Sequence, residues 1–337
     1  MNSEYNVSII IPAYNSEKTI KNCLEKIVEE SKKLKSEIIV VDDCSTDRTS
    51  EIIETFKDIK LIKLKNNQGA GNARNKGADE SQYENLCFID SDITISDESI
   101  LNLIKRLKKN DETGSVAATQ NLINLNKNSW SSNFVCLKSC YGTDEIKDEK
   151  VFSVCCSEFC VISKKTFYEI GKWKIFNNAG GEEFDIGYKI SQLNKKNIKT
   201  KSASYSGYWC NLSVRFKRIA QRTSKYIPLF LKKKKFDTKG SFATIGQSFS
   251  SLITLFIIFY ILISLIIENN FFIPGLISLI ILQIICEINF LIFAKKYYGF
   301  KMIVFSLFGI QIINLGILLG VVIFFYDYTF GKILNNK

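Results

Sequence analysis

The chain has 337 residues, with 45 Lys and Arg against 34 Asp and Glu and no histidine. Without histidine, His-based catalytic triads, His general acids and most zinc enzymes are excluded. Only six of the 45 cationic residues are Arg, which counts against a nucleic-acid partner, because bidentate readout of phosphate and base edges favours Arg.

The formal net charge of +11 is local. Residues 1–200 hold 29 basic and 30 acidic side chains, and residues 201–337 hold 16 basic and 4 acidic. The ten cysteines cluster only at Cys136/Cys140 and Cys155/Cys156/Cys160, with no CxxC pair. Residues 1–6 are polar, and the apolar run at 7–11 is too short for a signal peptide, so the cysteines read as reduced core residues.

In chain order, residues 7–11 form a β-rich run followed by Pro12, Ala13, Tyr14 and Asn15. Residues 17–34 have helical spacing (Ile20, Leu24, Ile27, Val28, Leu34). Then alternate a strand at 37–41, a helix at 47–56, a strand at 60–64, a helix at 70–78, a strand at 86–89 and a helix at 99–107. Such alternation predicts an α/β domain whose mostly parallel sheet is wrapped by helices. Ligands of such sheets gather beyond the carboxyl ends of the strands. There the chain places Tyr14, Asn15 and Glu17; then Asp42, Asp43, Ser45 and Asp47; then Asn66 to Gly69 leading to Arg74; then Asp90, Ser91 and Asp92. Alone, each cluster also reads as a cap or a turn, but four at one sheet edge predict a site.

The blocks VSIIIPAYNSEKTI, EIIVVDDCSTDRTSEII, NNQGAGNARNKGA and FIDSDI occur in order over roughly residues 5–200. They resemble the family 2 glycosyltransferases, which have a Rossmann-like GT-A fold. That resemblance implies inversion at the anomeric carbon, a UDP- or GDP-linked sugar donor, and Mg²⁺ or Mn²⁺. Asp90 and Asp92 match the family's DxD motif, as metal ligands that leave room for diphosphate oxygens. Pro12, Tyr14, Asn15, Glu17, Asp42, Asp43, Ser45, Arg74 and Asp90 fall where the family holds the nucleotide. Asp43 would accept from a pyrimidine edge and Arg74 would lie near the phosphates, while Asp42 reads equally as structural. GGEEFD resembles the family's G-E-D-x-D block at a helix start. An inverting transfer needs a carboxylate there to take the acceptor's proton. Glu183 stands at the base position, where the pattern has Asp; Glu182 and Asp185 remain alternatives, and helix capping by these acids is the plain reading.

The polysaccharide polymerases' Q-x-x-R-W block is not matched by Gln221-Arg222-Thr223-Ser224-Lys225, which favours transfer of one sugar per visit. Polyprenyl-phosphate sugar synthases of the family usually lack a G-E-D-like block. A lipid-linked or membrane-proximal saccharide is therefore the expected acceptor, with polyprenyl phosphate the alternative. A transporter with an inactive regulatory domain is the remaining alternative. Residues 121–160 are expected to help form the acceptor side, although they carry no block that can be interpreted.

Residues 211–240 carry a basic amphipathic pattern. Leu212, Phe216, Ile219, Ala220, Ile227 and Phe230 recur at near-helical spacing among Arg215, Lys217, Arg218, Arg222 and Lys225. That pattern predicts a helix lying against anionic membrane lipids. Apolar stretches at 249–267, 271–294 and 302–326 are each long enough to cross about 30 Å of hydrocarbon. The expected organisation is a GT-A domain at 1–210, the interfacial segment at 211–240 and a transmembrane region at 241–337. Lysines 232–235, 239, 295, 296 and 301 place the catalytic domain on the cytoplasmic side of a multi-pass cell-membrane protein, with residues 268–270 outside. Three full spans would leave the tail outside; Lys332 and Lys337 mildly oppose that, and a re-entrant third stretch is the alternative. Glu287 lies at span depth, where a carboxylate is either functional or paired with a neighbouring helix.

Overall fold

The computed structural model describes residues 5–126, 129–143, 146–175, 181–233, 245–266 and 272–331. Gly180 of the acidic block, residues 268–270, Lys234, Lys235, Lys239, Lys332 and Lys337 lie outside the described residues.

The chain divides into two compact units, residues 1–125 with 143–208, and residues 126–142 with 209–337. The first unit begins β1 (Val7–Ala13), α1 (Ile20–Ser31), β2 (Ser36–Asp42), α2 (Thr49–Glu54), β3 (Ile59–Lys63), α3 (Ala70–Asp79) and β4 (Asn85–Ile89). It continues with β5 (Ile93–Ile95), α4 (Ser99–Leu107) and β6 (Thr113–Asn124). The chain then leaves for α5 (Trp130–Cys140), which belongs to the second unit, and returns for β7 (Glu149–Phe152), β8 (Phe159–Ser163), α6 (Lys164–Glu169), α7 (Glu182–Gln192) and β9 (Lys196–Gly207).

The strand order is β3-β2-β1-β4-β8-β6-β9-β5, with β7 also paired to β9. β1, β2, β3, β4, β6 and β9 run one way, and β5, β7 and β8 run the other. The sheet is thus parallel in its first half, as the alternation predicts, and mixed in its second. Strands β1, β2 and β4 read as continuous Val/Ile/Leu runs because both their faces are covered. One apolar core joins Ile9, Ile11, Ile38, Val40, Cys87 and Ile89 to the inner faces of α1 and α4; on the opposite face Ile10, Phe88, Phe167, Trp173, Ile186 and Ile190 pack together. Burying each of these large side chains contributes about 1.5–3 kcal/mol. Gly77 permits α3 to press onto the sheet, since a Cβ there would lie 2.4 Å from a methyl carbon of Ile10. Cys23, Cys87, Cys136, Cys140, Cys155 and Cys160 are buried and all ten cysteines are free.

The second unit contains α5, α8 (Leu212–Lys233), α9 (Ile245–Ser264), α10 (Phe272–Tyr298) and α11 (Phe300–Thr329). Residues Gly246–Ser264, Ile273–Tyr298 and Phe300–Thr329 make three helices long and apolar enough to cross a membrane. The expected connection around Lys295 and Lys301 is almost entirely helical: Gly299 alone, at φ 74°, breaks α10 from α11. α8 packs closely on α11, because Gly316 and Gly320 on one face admit the backbone carbonyls of Phe216 and Ala220.

The polar residues interrupting the apolar stretches satisfy one another. Gln311 donates to Gln283 (2.6 Å), Gln283 to Thr254 (2.8 Å), and Asn314 to both Thr254 (2.9 Å) and Ser250 (3.0 Å). Glu287 is paired with Lys138 of α5 at 2.8 Å, with side-chain exposures of 7% and 15%, and the Lys138 ammonium lies 4.3 Å from the centre of the Phe290 ring. Deleting one partner strands a buried charge. Lys138→Met or Glu287→Leu alone is expected to destabilise the unit by about 3–5 kcal/mol, whereas the double variant recovers most of that loss. Denaturant unfolding of the purified chain in detergent checks this cycle, and additive losses would contradict it.

Candidate active site

The ends of β1 and β2 are held together by their polar residues. Asn15, at φ 48°, donates its backbone N–H to the Ser45 hydroxyl (2.9 Å), and its side-chain oxygen accepts from the Thr46 N–H (2.8 Å). Glu17 accepts from the Arg48 N–H at 3.3 Å. Tyr14 is 48% exposed above this pair of loops, and Pro12 is buried in β1 opposite Val41.

Asp42 and Asp43 lie beneath, both buried. Asp42 accepts from the Ser45 N–H (3.0 Å) and from the Ser50 hydroxyl. Asp43 accepts from the backbone N–H groups of Gln68 (2.8 Å) and Gly69 (2.7 Å), tying the loop before α3 to the end of β2. Burial pushes the Asp43 carboxyl up, and those two N–H groups oppose it.

A second group forms where α3 meets the end of β4. Arg74, only 3% exposed, donates from Nη2 to Asp90 Oδ1 at 2.6 Å, with its guanidinium 5.3 Å from the centre of the Trp173 ring. Trp173 is clamped in turn by Asn75, whose side chain accepts from its N–H (3.0 Å) and donates to its carbonyl (2.9 Å). Desolvation and the nearby Glu158 and Glu182 carboxylates push Asp90 up from the ordinary carboxylate range, against the pull of Arg74. Arg74 Nε and Nη1 are buried with no hydrogen-bond partner among the described residues. Buried N–H donors of a cation call for an acceptor. Asp92 is exposed, and its backbone carbonyl accepts from the Tyr208 N–H (3.0 Å). The hydroxyls of Ser16 and Ser91, 2.9 Å apart, join this group to the β1 loop.

α7 begins at Gly181, whose φ of 103° favours glycine. Glu182, Glu183 and Asp185 occupy its first turn, where the helix dipole favours anions. Glu182 faces the fields of Arg74 and Asp90. Glu183 Oε1 accepts from the Ser157 hydroxyl (3.2 Å), and its backbone carbonyl accepts from the Cys155 N–H (3.1 Å). Asp185 is paired one turn along with Lys189 at 2.8 Å. The connection from β7 to β8 crosses this helix in backbone contact: a Cβ on Gly187 would lie 2.5 Å from the Ser153 carbonyl oxygen. Its last residue, Glu158, accepts the Asp90 N–H on its carbonyl (2.9 Å).

The residues singled out in sequence therefore form two linked sets. Tyr14, Asn15, Glu17, Ser45, Asp42 and Asp43 make one, and Arg74, Asp90 and Glu182 the other. Pro12 contributes backbone only, and Asp185 turns to its own helix. Ser157 and Glu158 fall in the stretch expected on the acceptor side, but no local motif marks them or Trp173, and only the chain's return through β8 brings them here. Two carboxylates, Asp90 and the exposed Asp92, offer hard oxygen ligands that suit Mg²⁺ or Mn²⁺. The acidic trio Glu29, Glu30 and Asp97 lies elsewhere and is ion-paired with Lys26 and Lys33.

Residues 8–171 match the sequence model described as Glycosyl transferase family 2. The poly-beta-1,6-N-acetyl-D-glucosamine synthase of Staphylococcus epidermidis is 33% identical over 121 residues, which is 35% of this chain and 29% of that protein. Glycosyltransferase GlyG of Streptococcus pneumoniae is 26% identical over 181 residues, 51% of this chain and 53% of that one. The chain thus spans under a third of the first of these relatives and about half of the second. In fold, it is similar to the mannosyltransferase PcManGT of Pyrobaculum calidifontis, solved with GDP-Man and Mn²⁺. The TM-score is 0.57 at 14% identity, over 95% of this chain and 87% of that one.

Proposed function

We propose, from the match of residues 8–171 to the glycosyl transferase family 2 model, that the chain is a membrane-anchored, inverting glycosyltransferase. It moves one sugar from a UDP- or GDP-linked donor to a lipid-linked or membrane-proximal saccharide. The observation that carries this reading is the buried Arg74, paired to Asp90 through one nitrogen, with two donors that have no partner among the described residues. A diphosphate oxygen satisfies such donors with charge-assisted hydrogen bonds.

Asp90 and Asp92 are the residues to hold Mg²⁺ or Mn²⁺, which neutralises charge on the departing nucleoside diphosphate. Tyr14, Asn15, Glu17 and Ser45 bind the nucleoside over the base formed by Asp42 and Asp43. Glu183 takes the proton from the acceptor hydroxyl, with Ser157 holding its other side. Glu182, in the field of Arg74, shapes the charge around the phosphates.

α9, α10 and α11 cross the membrane, and the basic face of α8 meets anionic lipid, with the family 2 domain cytoplasmic. This arrangement suits an acceptor carried in the bilayer.

A panel of nucleotide sugars supplied with Mn²⁺ to membranes containing the chain tests the reading. Turnover of at least one donor, stopped by chelation, is the expected result. Failure with every donor, or turnover indifferent to the metal, would count against it.

A further inference from the structure

Lys150 and Lys199 stand directly opposite each other across the antiparallel β7–β9 pair. Like charges in that position repel. Their ammonium groups lie 5.6 and 5.7 Å from the centre of one ring, that of Phe152. Lys199 is only 6% exposed, a condition lysine rarely meets without a paired anion. Among the described residues no hydrogen bond or ion pair reaches either ammonium, so the ring is their sole close partner. A ring face makes up only part of what a cation loses in leaving water. Two cations brought together with no ion-paired anion among the described residues describe a site whose ligand is an anion.

The placement says which anion. Residues two apart on a strand share a face, and Asn197, on the face of Lys199, donates to the Gly187 carbonyl of α7 at 3.2 Å. The Cys156 thiol lies in the fields of Lys199, Glu158 and Glu183 together. The lysine pair is therefore beside the acid helix, whereas the unpartnered donors of Arg74 lie by Asp90.

We propose that Lys199, with Lys150, forms an anion-binding subsite that holds a phosphate or carboxylate group of the acceptor near Glu183. The subsite rests on the transferase reading for calling its ligand the acceptor, and on the lysine pair alone for calling it an anion. It makes the acceptor an acidic glycan or a phosphate-bearing carrier rather than a neutral sugar.

The test uses the full chain in nanodiscs of neutral phosphatidylcholine, with saturating nucleoside diphosphate and Mg²⁺ to fill the donor site. The probes are inorganic phosphate, glucose 1-phosphate, glucuronate and a short-chain phosphatidic acid, read by thermal shift and calorimetry. At least one probe is expected to raise the melting temperature of the wild type, with about tenfold or greater loss of affinity in Lys199→Met and retention in Lys199→Arg. Without probe, Lys199→Met is expected to melt at or above the wild-type temperature, because it relieves the repulsion between the facing lysines. A lower melting temperature in Lys199→Met would mark the lysine as an internal counterion and overturn the subsite. Probe binding unchanged in that variant, or seen only when the nucleotide is absent, would overturn it equally. Lys199-dependent response to phosphatidic acid identifies a lipid phosphate as the source, and response to the sugar acids a glycan; either supports the proposal. A wild type that consumes no nucleotide sugar but still shows Lys199-dependent binding sinks the transferase reading alone. Transfer with no such binding sinks the subsite alone.

Discussion

Glu183→Gln is expected to lower the rate of sugar transfer by about 10²–10⁴-fold, the range typical for loss of a positioned general base. The substitution keeps the size of the side chain and an oxygen able to accept from the Ser157 hydroxyl, so the start of α7 stays intact. Donor affinity should fall far less than transfer, because Glu183 bonds Ser157 at the start of α7, whereas Arg74 bonds Asp90. The matching Glu182→Gln variant gives the opposite pattern: Glu182 does share the field of Arg74 and Asp90, so donor affinity shifts and transfer falls less. Steady-state kinetics on the two variants, separating kcat from KM, checks both. A Glu183→Gln enzyme at wild-type kcat with a crippled Glu182→Gln enzyme would move the base by one residue.

Asp92→Ala carries the second large effect. Asp92 is exposed at the end of β4, and Asp90 is already engaged by Arg74. Losing Asp92 leaves one engaged carboxylate to hold a divalent ion, which the diphosphate alone does not fix in place. Transfer is expected to drop by about 10²–10³-fold, comparable to removing one group that stabilises developing charge. Raised Mn²⁺ should recover part of the loss. Because Asp92 is exposed, stability should hardly change, which separates this variant from Asp90→Ala, where a buried Arg74 loses its partner and the domain itself weakens by about 3–5 kcal/mol. Manganese titrations of activity together with thermal melts distinguish the two. Equal activity of Asp92→Ala and wild type at low metal would remove Asp92 from the metal site.

Much of this architecture is legible in the sequence because its signals are local. The helix expected at residues 99–107 is α4, and the strand-end acids Asp42, Asp43, Asp90 and Asp92 are where the alternation puts them. What escaped depends on long-range pairing. Glu287 stands out in sequence as a carboxylate in an apolar helix, yet its partner Lys138 lies 149 residues earlier in a stretch with no motif. The insertion of β8 between β4 and β6 is likewise invisible, since FCVIS looks like any short buried strand. That insertion is what delivers Glu158 and Ser157 to Asp90 and Glu183. The opposition of Lys150 and Lys199 exists only in the β7–β9 register. Nothing about two lysines 49 positions apart announces it.

The central claim is that one sugar passes from a nucleotide donor to a saccharide hydroxyl held at the membrane. Mass spectrometry of the lipid extract after incubation with the active donor and Mn²⁺ tests it most directly. The predicted product is a lipid-linked saccharide heavier than its acceptor by one glycosyl residue, with that residue joined through a glycosidic bond to a sugar of the acceptor. A single sugar joined directly to a lipid phosphate, or a ladder of many added residues, would contradict it.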